Sequence, residues 1–178
     1  MICDRPTVMK TEFREALLPR ELRSLVAFDR AVFNESDCFR PSDWAGYKSF
    51  WMIVEDKKIG CCAFLENVEF LQDIRSDGAN LRRKGSLYIV TTGILPAFQE
   101  RGFGNLLKSF EIAYAKRNGF TRIVTNTRRR NAAMLALNRK YHFQVVRTTP
   151  RYYSDPTDST VVMELRLTKS RPIMPVGV

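Results

Sequence analysis

Apolar residues recur along this chain in two rhythms, and the change from one to the other marks out its elements. Thr7 to Ala16 reads as a strand. Leu18-Pro19-Arg20-Glu21 then opens a helix, since Pro suits a first turn, and Leu22, Leu25, Val26, Phe28 and Val32 leave a broad apolar stripe. Pro41-Ser42-Asp43-Trp44 predicts a second, short helix, seeded by Pro and capped by Ser or Asp. Trp51 to Val54 and Ile59 to Leu65 read as two strands joined in a hairpin by Glu55 to Lys58. A charged loop from Asp73 to Ser86 leads to a β-branched, aromatic strand from Leu87 to Ile94. After Pro96 the period lengthens. Phe103, Leu106, Leu107, Phe110 and Tyr114 fall on one face of a helix over Gly102 to Arg117, which Asn118-Gly119 closes. Thr121 to Thr127 is a strand, Asn131 to Lys140 a helix, and Phe143 to Thr148 and Val161 to Leu167 the last strands. The order β-α-α-β-β-β-α-β-α-β-β predicts an α/β fold, a sheet of mixed direction with helices packed on it.

Composition sharpens this. The 178 residues suit one domain, assigned to residues 1–169, with a frayed tail over 170–178. No apolar run approaches the roughly 20 residues of a membrane span. Four Cys do not make a disulfide scaffold, and adjacent Cys61 and Cys62 point to opposite faces of a strand, so a reduced, cytoplasmic protein is expected. A single His (His142) and the lack of any CxxC pair argue against a metal site, and a Ser-His-Asp centre would rest on that His alone. The net charge is +10, and it is localised. Arg101 to Arg151 holds 12 Lys plus Arg and one acid, Glu111, a net +11; the remainder carries 17 basic and 18 acidic residues. Such a run is a solvated face or a site for a polyanion.

The chemistry-bearing stretch is Ile94-Leu95-Pro96-Ala97-Phe98-Gln99-Glu100-Arg101-Gly102-Phe103-Gly104-Asn105. A strand runs into a Gly-containing turn that starts a helix. The first N–H groups of a helix lack internal partners, and Gly102 and Gly104 let the backbone approach a ligand, so the turn is a candidate anion cradle. The pattern Q-x-x-G-x-G behind a strand resembles the acetyl-CoA signature of the GCN5-related N-acetyltransferases. Asn131 to Phe143 looks like the same family's N-x-x-A-x-x-L-Y-x-x-x-G-F block, one strand later. The resemblance covers Leu87 to Leu167; the first 86 residues match only in the order of elements. It implies a mostly antiparallel central sheet flanked by helices, with acetyl-CoA as cofactor. It places the cofactor on Thr92, Gly93, Ile94, Gln99, Glu100, Arg101, Gly102, Phe103, Gly104, Asn105 and Asn131. Leu87 to Leu95 and Arg151-Tyr152-Tyr153, followed by Asp158 and Val162-Met163, look like the Nα-terminal and ribosomal-protein alanine acetyltransferases. In those relatives the paired tyrosines line the acceptor groove and the first helix-loop segment, here with Phe33 and Phe39, forms its other wall. Plain strand packing is the alternative for Tyr152 and Tyr153.

The implied mechanism is direct acetyl transfer to an amine, with the thioester carbonyl polarised by a backbone N–H near Ile94. This chain departs from its relatives at both of the family's catalytic positions. Asn126 stands where the family carries a Glu or His base, and Asn138 where it carries a Tyr acid. An amide does not titrate near neutrality, so each can only hold a water or hydrogen-bond the sulfur. Tyr88 then remains, as relay or as a core aromatic, with a water held by Asn126. Arg101 and Arg128-Arg129-Arg130 are placed to meet a coenzyme phosphate. His142 falls on the family's turn Gly. Four readings follow: an N-acetyltransferase of peptide or protein N-termini; the same chemistry on a small amine such as a polyamine, aminoglycoside or amino acid; a nucleic-acid-binding module; a coenzyme-A-binding domain without catalysis. The third lacks interleaved stacking residues and any helix-turn-helix or RNP pattern.

Overall fold

Chain order runs β1 (Thr11–Glu15), α1 (Leu22–Val32), β2 (Lys48–Val54), β3 (Lys57–Leu65), β4 (Ser86–Ile94), α2 (Phe103–Arg117), β5 (Arg122–Arg128), α3 (Ala132–Lys140), β6 (Gln144–Ser154) and β7 (Thr157–Arg166). The computed structural model describes residues 9–66 and 85–167. The expected tail, and most of the charged loop before Ser86, lie outside the described residues. The seven strands form one sheet in the order β1-β2-β3-β4-β5-β7-β6. Every neighbouring pair is antiparallel except β4 and β5.

That one parallel pair positions the site. It joins only Ser86↔Arg122 through Ile89↔Thr125. β4 runs on to Ile94 and β5 to Arg128, so their facing edges part beyond the seam. On one side of the sheet, α2 and α3 cover a core that includes Met52, Phe64, Leu87, Leu107, Ile123, Phe143 and Met163. On the other, α1 packs a second cluster around Leu25, Phe28, Trp44 and Trp51. No helix among the described residues is long and apolar enough to cross a membrane.

Several boundaries differ from expectation for local reasons. The predicted second helix is a single 3-10 turn, Asp43–Gly46; another, Glu35–Asp37, precedes it. The Asp43 carboxylate accepts from the Arg40 N–H at 3.0 Å, as at a helix start, but Tyr47 is already extended and β2 begins at Lys48, so only one turn fits. The hairpin turn is tighter than Glu55 to Lys58: Glu55 and Asp56 alone carry it, both at positive φ, which suits a two-residue turn. β6 continues past Thr148 to Ser154, and β7 begins at Thr157 rather than Val161. Pro150 is tolerated there because β6 is an edge strand.

Candidate active site

Where β4 and β5 part, a cleft of about 420 Å³ opens. Its floor includes Tyr88, Val90, Thr92, Asn126 and Thr127, and its walls Phe33, Phe39, Tyr47, Tyr152 and Tyr153. Phe33 follows the last residue of α1 in extended conformation. It can lie against β4 because residue 93 is Gly; a Cβ there would meet Val32 at 2.9 Å and Phe33 at 3.2 Å. Asp29, in the last turn of α1, fixes both ends of the following loop. Its carbonyl accepts from the Phe33 N–H, and its carboxylate from the Phe39 N–H at 2.7 Å. Neighbouring residues on a strand ordinarily face opposite sides. Tyr152 and Tyr153 both reach the cleft because β6 slips register between Thr149 and Tyr153, with Arg151 at φ 51°. Their rings meet edge to face at 5.0 Å.

The floor carries a connected polar chain. The Tyr88 hydroxyl donates to Asn126 Oδ1. Asn126 Nδ2 donates to Tyr153 Oη at 3.4 Å and to Thr160 Oγ1 at 3.2 Å. Burial raises the Tyr153 pKa, although Thr160 and Arg128 oppose the rise. So the predicted Tyr88 and Asn126 are brought together, with Tyr153 as a third member. Asn138 is not brought to them. It is fully buried, its side-chain amide nitrogen facing Met163 Sδ at 3.8 Å and its backbone carbonyl holding the Phe143 N–H at 3.0 Å. Asn138 is not among the residues that line the cleft.

The Gly-containing turn has the conformation an anion cradle needs. Gly102 precedes α2 at φ 85°, and no side-chain cap bonds the first N–H groups of the helix. A Cβ at Gly102 would meet nothing within 4 Å, and one at Gly104 would touch only Leu137 at an ordinary 3.6 Å. The protein itself therefore does not fill the space before these amides, which fits a phosphate-bearing ligand. The other predicted cofactor residues divide by role. Gln99 braces the turn, its Nε2 donating to the Ile94 carbonyl at 2.9 Å. Glu100 bends it at φ 61°. The Phe103 side chain is buried in the core, so only its backbone faces outward. Asn105 ties α2 to α3, accepting from Lys140 Nζ at 2.6 Å and, through its carbonyl, from Tyr141 Oη at 2.9 Å. Asn131 caps α3, accepting from the Met134 N–H at 3.0 Å, and also lines the cleft. Thr92 donates its hydroxyl to Glu111 at 2.5 Å, and Glu111 pairs with Lys108 at 2.6 Å, both fully buried beneath β4. His142 adopts φ 65°, the backbone state that favours Gly at this turn.

The basic stretch is less open than its count implied. Lys108, Arg122, Arg128 and Arg130 pair with Glu111, Glu164, Asp37 and Asp158. Arg128 is therefore shielded and held by Asp37, whereas Arg130 stays about half exposed beside Asp158, and Arg101, over the Phe98 ring at 5.7 Å, and Arg129 are exposed. The Arg128 contact was not legible beforehand. Its partner Asp37 lies 91 residues away, in the segment without motif resemblance.

A sheet parted in this way, with an uncapped Gly turn beside the gap, defines an acyl-transferase scaffold built to hold a phosphorylated coenzyme. Residues 15–143 match the model of the Acetyltransferase (GNAT) family, and the chain belongs to that family. Its cofactor is acetyl-CoA. Similar solved structures include the ribosomal-protein-S18-alanine N-acetyltransferase from Escherichia coli, at TM-score 0.72 and 15% identity over 93% of this chain and 99% of that one. NAA60 from Arabidopsis thaliana in complex with acetyl-CoA gives TM-score 0.72 and 15% identity over 89% and 99%. A Bacillus subtilis acetyltransferase in complex with CoA gives 0.66 and 17% over 90% and 100%. No individual curated protein matches the chain.

Proposed function

We propose that this acetyltransferase transfers acetyl to a primary amine, and that the amine is the N-terminus of a peptide or protein. The observation that carries the reading is the Tyr88–Asn126–Tyr153 chain on the floor of a cleft walled by aromatic side chains. The likeness to an S18-alanine N-acetyltransferase and to NAA60 supports it. The edge of β4 at Thr92 to Ile94, the turn from Gln99 to Asn105, and Asn131 are the residues that would hold acetyl-CoA. When bound, the cofactor supplies an acetyl thioester, an electrophile ready for attack by a neutral amine. Backbone N–H groups near Ile94 offer donors to negative charge developing on an acyl oxygen.

The acceptor must lose a proton to become a nucleophile. Asn126 cannot take it, and because its carbonyl oxygen accepts the Tyr88 proton, it orients that phenol. Tyr88 then receives a hydrogen bond from the acceptor nitrogen through its oxygen lone pairs, and water carries the proton out. Tyr153, held protonated by burial, is a donor for the departing thiolate. Tyr88→Phe should lower kcat/KM about tenfold or more while leaving the thermal shift produced by acetyl-CoA intact. An unchanged rate across pH would remove Tyr88 from the reaction.

A second reading, a free small amine, is favoured by the bridged rim of the cleft, where Ser36 Oγ donates to the Asp155 carbonyl at 2.5 Å. Thiol release from acetyl-CoA with a panel of N-terminal peptides, set against a panel of small amines, separates the two. Release with the amines alone would overturn the peptide assignment. Cys38, Cys61 and Cys62 are free thiols, which supports placement in the reducing cytoplasm.

A further inference from the structure

Two opposite charges face this cleft, and each is bound to the other. Asp37 and Arg128 are the only carboxylate and the only cation lining it among the described residues. Arg128 Nε and Nη2 reach Asp37 Oδ2 and Oδ1 at 2.7 and 2.6 Å. The same guanidinium donates to the carbonyls of Pro156 and Asp155 at 2.7 and 3.0 Å and lies 4.1 Å over the Tyr153 ring. Both side chains are largely shielded, at 11% and 20% exposure.

Resting on the amine-acetylating reading above, we infer that Arg128 is the specificity-determining residue of the acceptor cleft. By withdrawing Asp37 from the acceptor, it makes the cleft select amines borne on uncharged, apolar groups and reject polycations. The bidentate fork matches the carboxylate's geometry, and four donor contacts leave the guanidinium little freedom to release it. Breaking a shielded pair of this kind is strongly unfavourable, so an incoming ammonium does not displace Arg128. The acceptor then meets aromatic walls, the Tyr88 hydroxyl and no net charge. A polyamine or aminoglycoside brings two or more ammonium groups and finds one place for an amine. An acceptor with a single amine and an apolar neighbouring group loses nothing on entry.

The test compares phenylethylamine with 1,4-diaminobutane on wild type, Arg128→Met, Arg128→Lys, Asp37→Asn and the double variant R128M/D37N. Two readouts are taken: calorimetric binding of each amine to the acetyl-CoA complex formed with a non-transferable thioether analogue, and kcat/KM by thiol release. Wild type should favour phenylethylamine. R128M exposes Asp37 and should shift the ratio toward the diamine about tenfold, as one new charge contact in a partly shielded cleft implies. R128K keeps a cation but not the fork, so its ratio should lie between those of wild type and R128M, and the double variant should return to the wild-type ratio. D37N, which leaves Arg128 in place, should move selectivity the other way and strengthen binding of β-alanine, an amine carrying a carboxylate. Equal amine ratios in wild type and R128M would overturn the inference, and so would an R128M shift that survives in the double variant. If R128M does not fold, an unchanged β-alanine affinity in D37N overturns it instead. Failure of the amine-acetylating reading shows separately, as no thiol release with any acceptor, and the binding ratios still decide the role of Arg128.

Discussion

Replacing Asp29 with Asn should change the pH dependence of stability in the sense opposite to most carboxylate substitutions. Asp29 is 1% exposed. Burial lifts its pKa from 3.8 to about 6, against the pull of the Phe39 N–H bond and with some help from Asp37. Because the folded value lies above the unfolded one, the folded state holds more protons between these limits. Stability therefore falls as pH rises from about 4 to about 6, and the penalty is complete above that. At about 1.4 kcal/mol per pH unit the full difference is about 3 kcal/mol as an upper bound, and relaxation of the surroundings about the charged carboxylate brings the expected effect to about 1–2 kcal/mol. Asn is isosteric, uncharged, and keeps a carbonyl for Phe39. Urea unfolding of both proteins at pH 4, 5, 6 and 7 isolates the effect, because the carboxylates held low, such as those of Glu21 and Asp43, cancel in the comparison. The two proteins should match near pH 4, and the Asn variant should lead at pH 7. A difference that stays constant over this range, or a wild type that gains on the variant as pH rises, would refute the account of Asp29.

Three further outcomes follow from the geometry. Gly93→Ala places a methyl 2.9 Å from Val32 and 3.2 Å from Phe33; about 1–3 kcal/mol of stability should be lost. In steady-state kinetics it should raise the acceptor KM more than the acetyl-CoA KM. Gly102→Ala puts a Cβ at φ 85°, costing about 1–2 kcal/mol and crowding the cradle. The thermal shift given by acetyl-CoA should shrink accordingly. Lys108→Met leaves Glu111 charged and buried, and should cost about 3–5 kcal/mol in chemical denaturation, most of it recovered when Glu111→Leu is added.

The cradle was legible because its signals are local. A β-branched strand, Pro96, two glycines and a helical stripe follow one another between Leu87 and Tyr114, so spacing alone assembles strand, turn and helix. The aromatic pair was legible as residues, but not as geometry: only the bulge at Arg151 brings both rings to one side. The short helix after Pro41 is cut to one 3-10 turn because the chain must already be extended at Tyr47 to enter β2. Asp37 and Arg128 were invisible as a pair, since a bond between a turn after α1 and the end of β5 leaves no periodic trace in sequence. Asn138 is a related case. Its place in a motif was readable, while its depth is set by Met163 and Phe143 from other elements.

The brevity of the β4–β5 seam has a mechanical consequence. Four residue pairs join one four-stranded half of the sheet to a three-stranded half. The Arg122 guanidinium on Ser86 Oγ at 2.9 Å and the Thr125 hydroxyl on the Ile89 carbonyl at 3.3 Å reinforce this line. Tension applied at the open end of the gap would concentrate on Ile89 and Thr125, as a tear concentrates at its tip. Backbone amides there should exchange faster than those of β2 and β3. A ligand lying between the parted edges would shield that tip, so occupancy of the cleft and the unity of the sheet are coupled in one place.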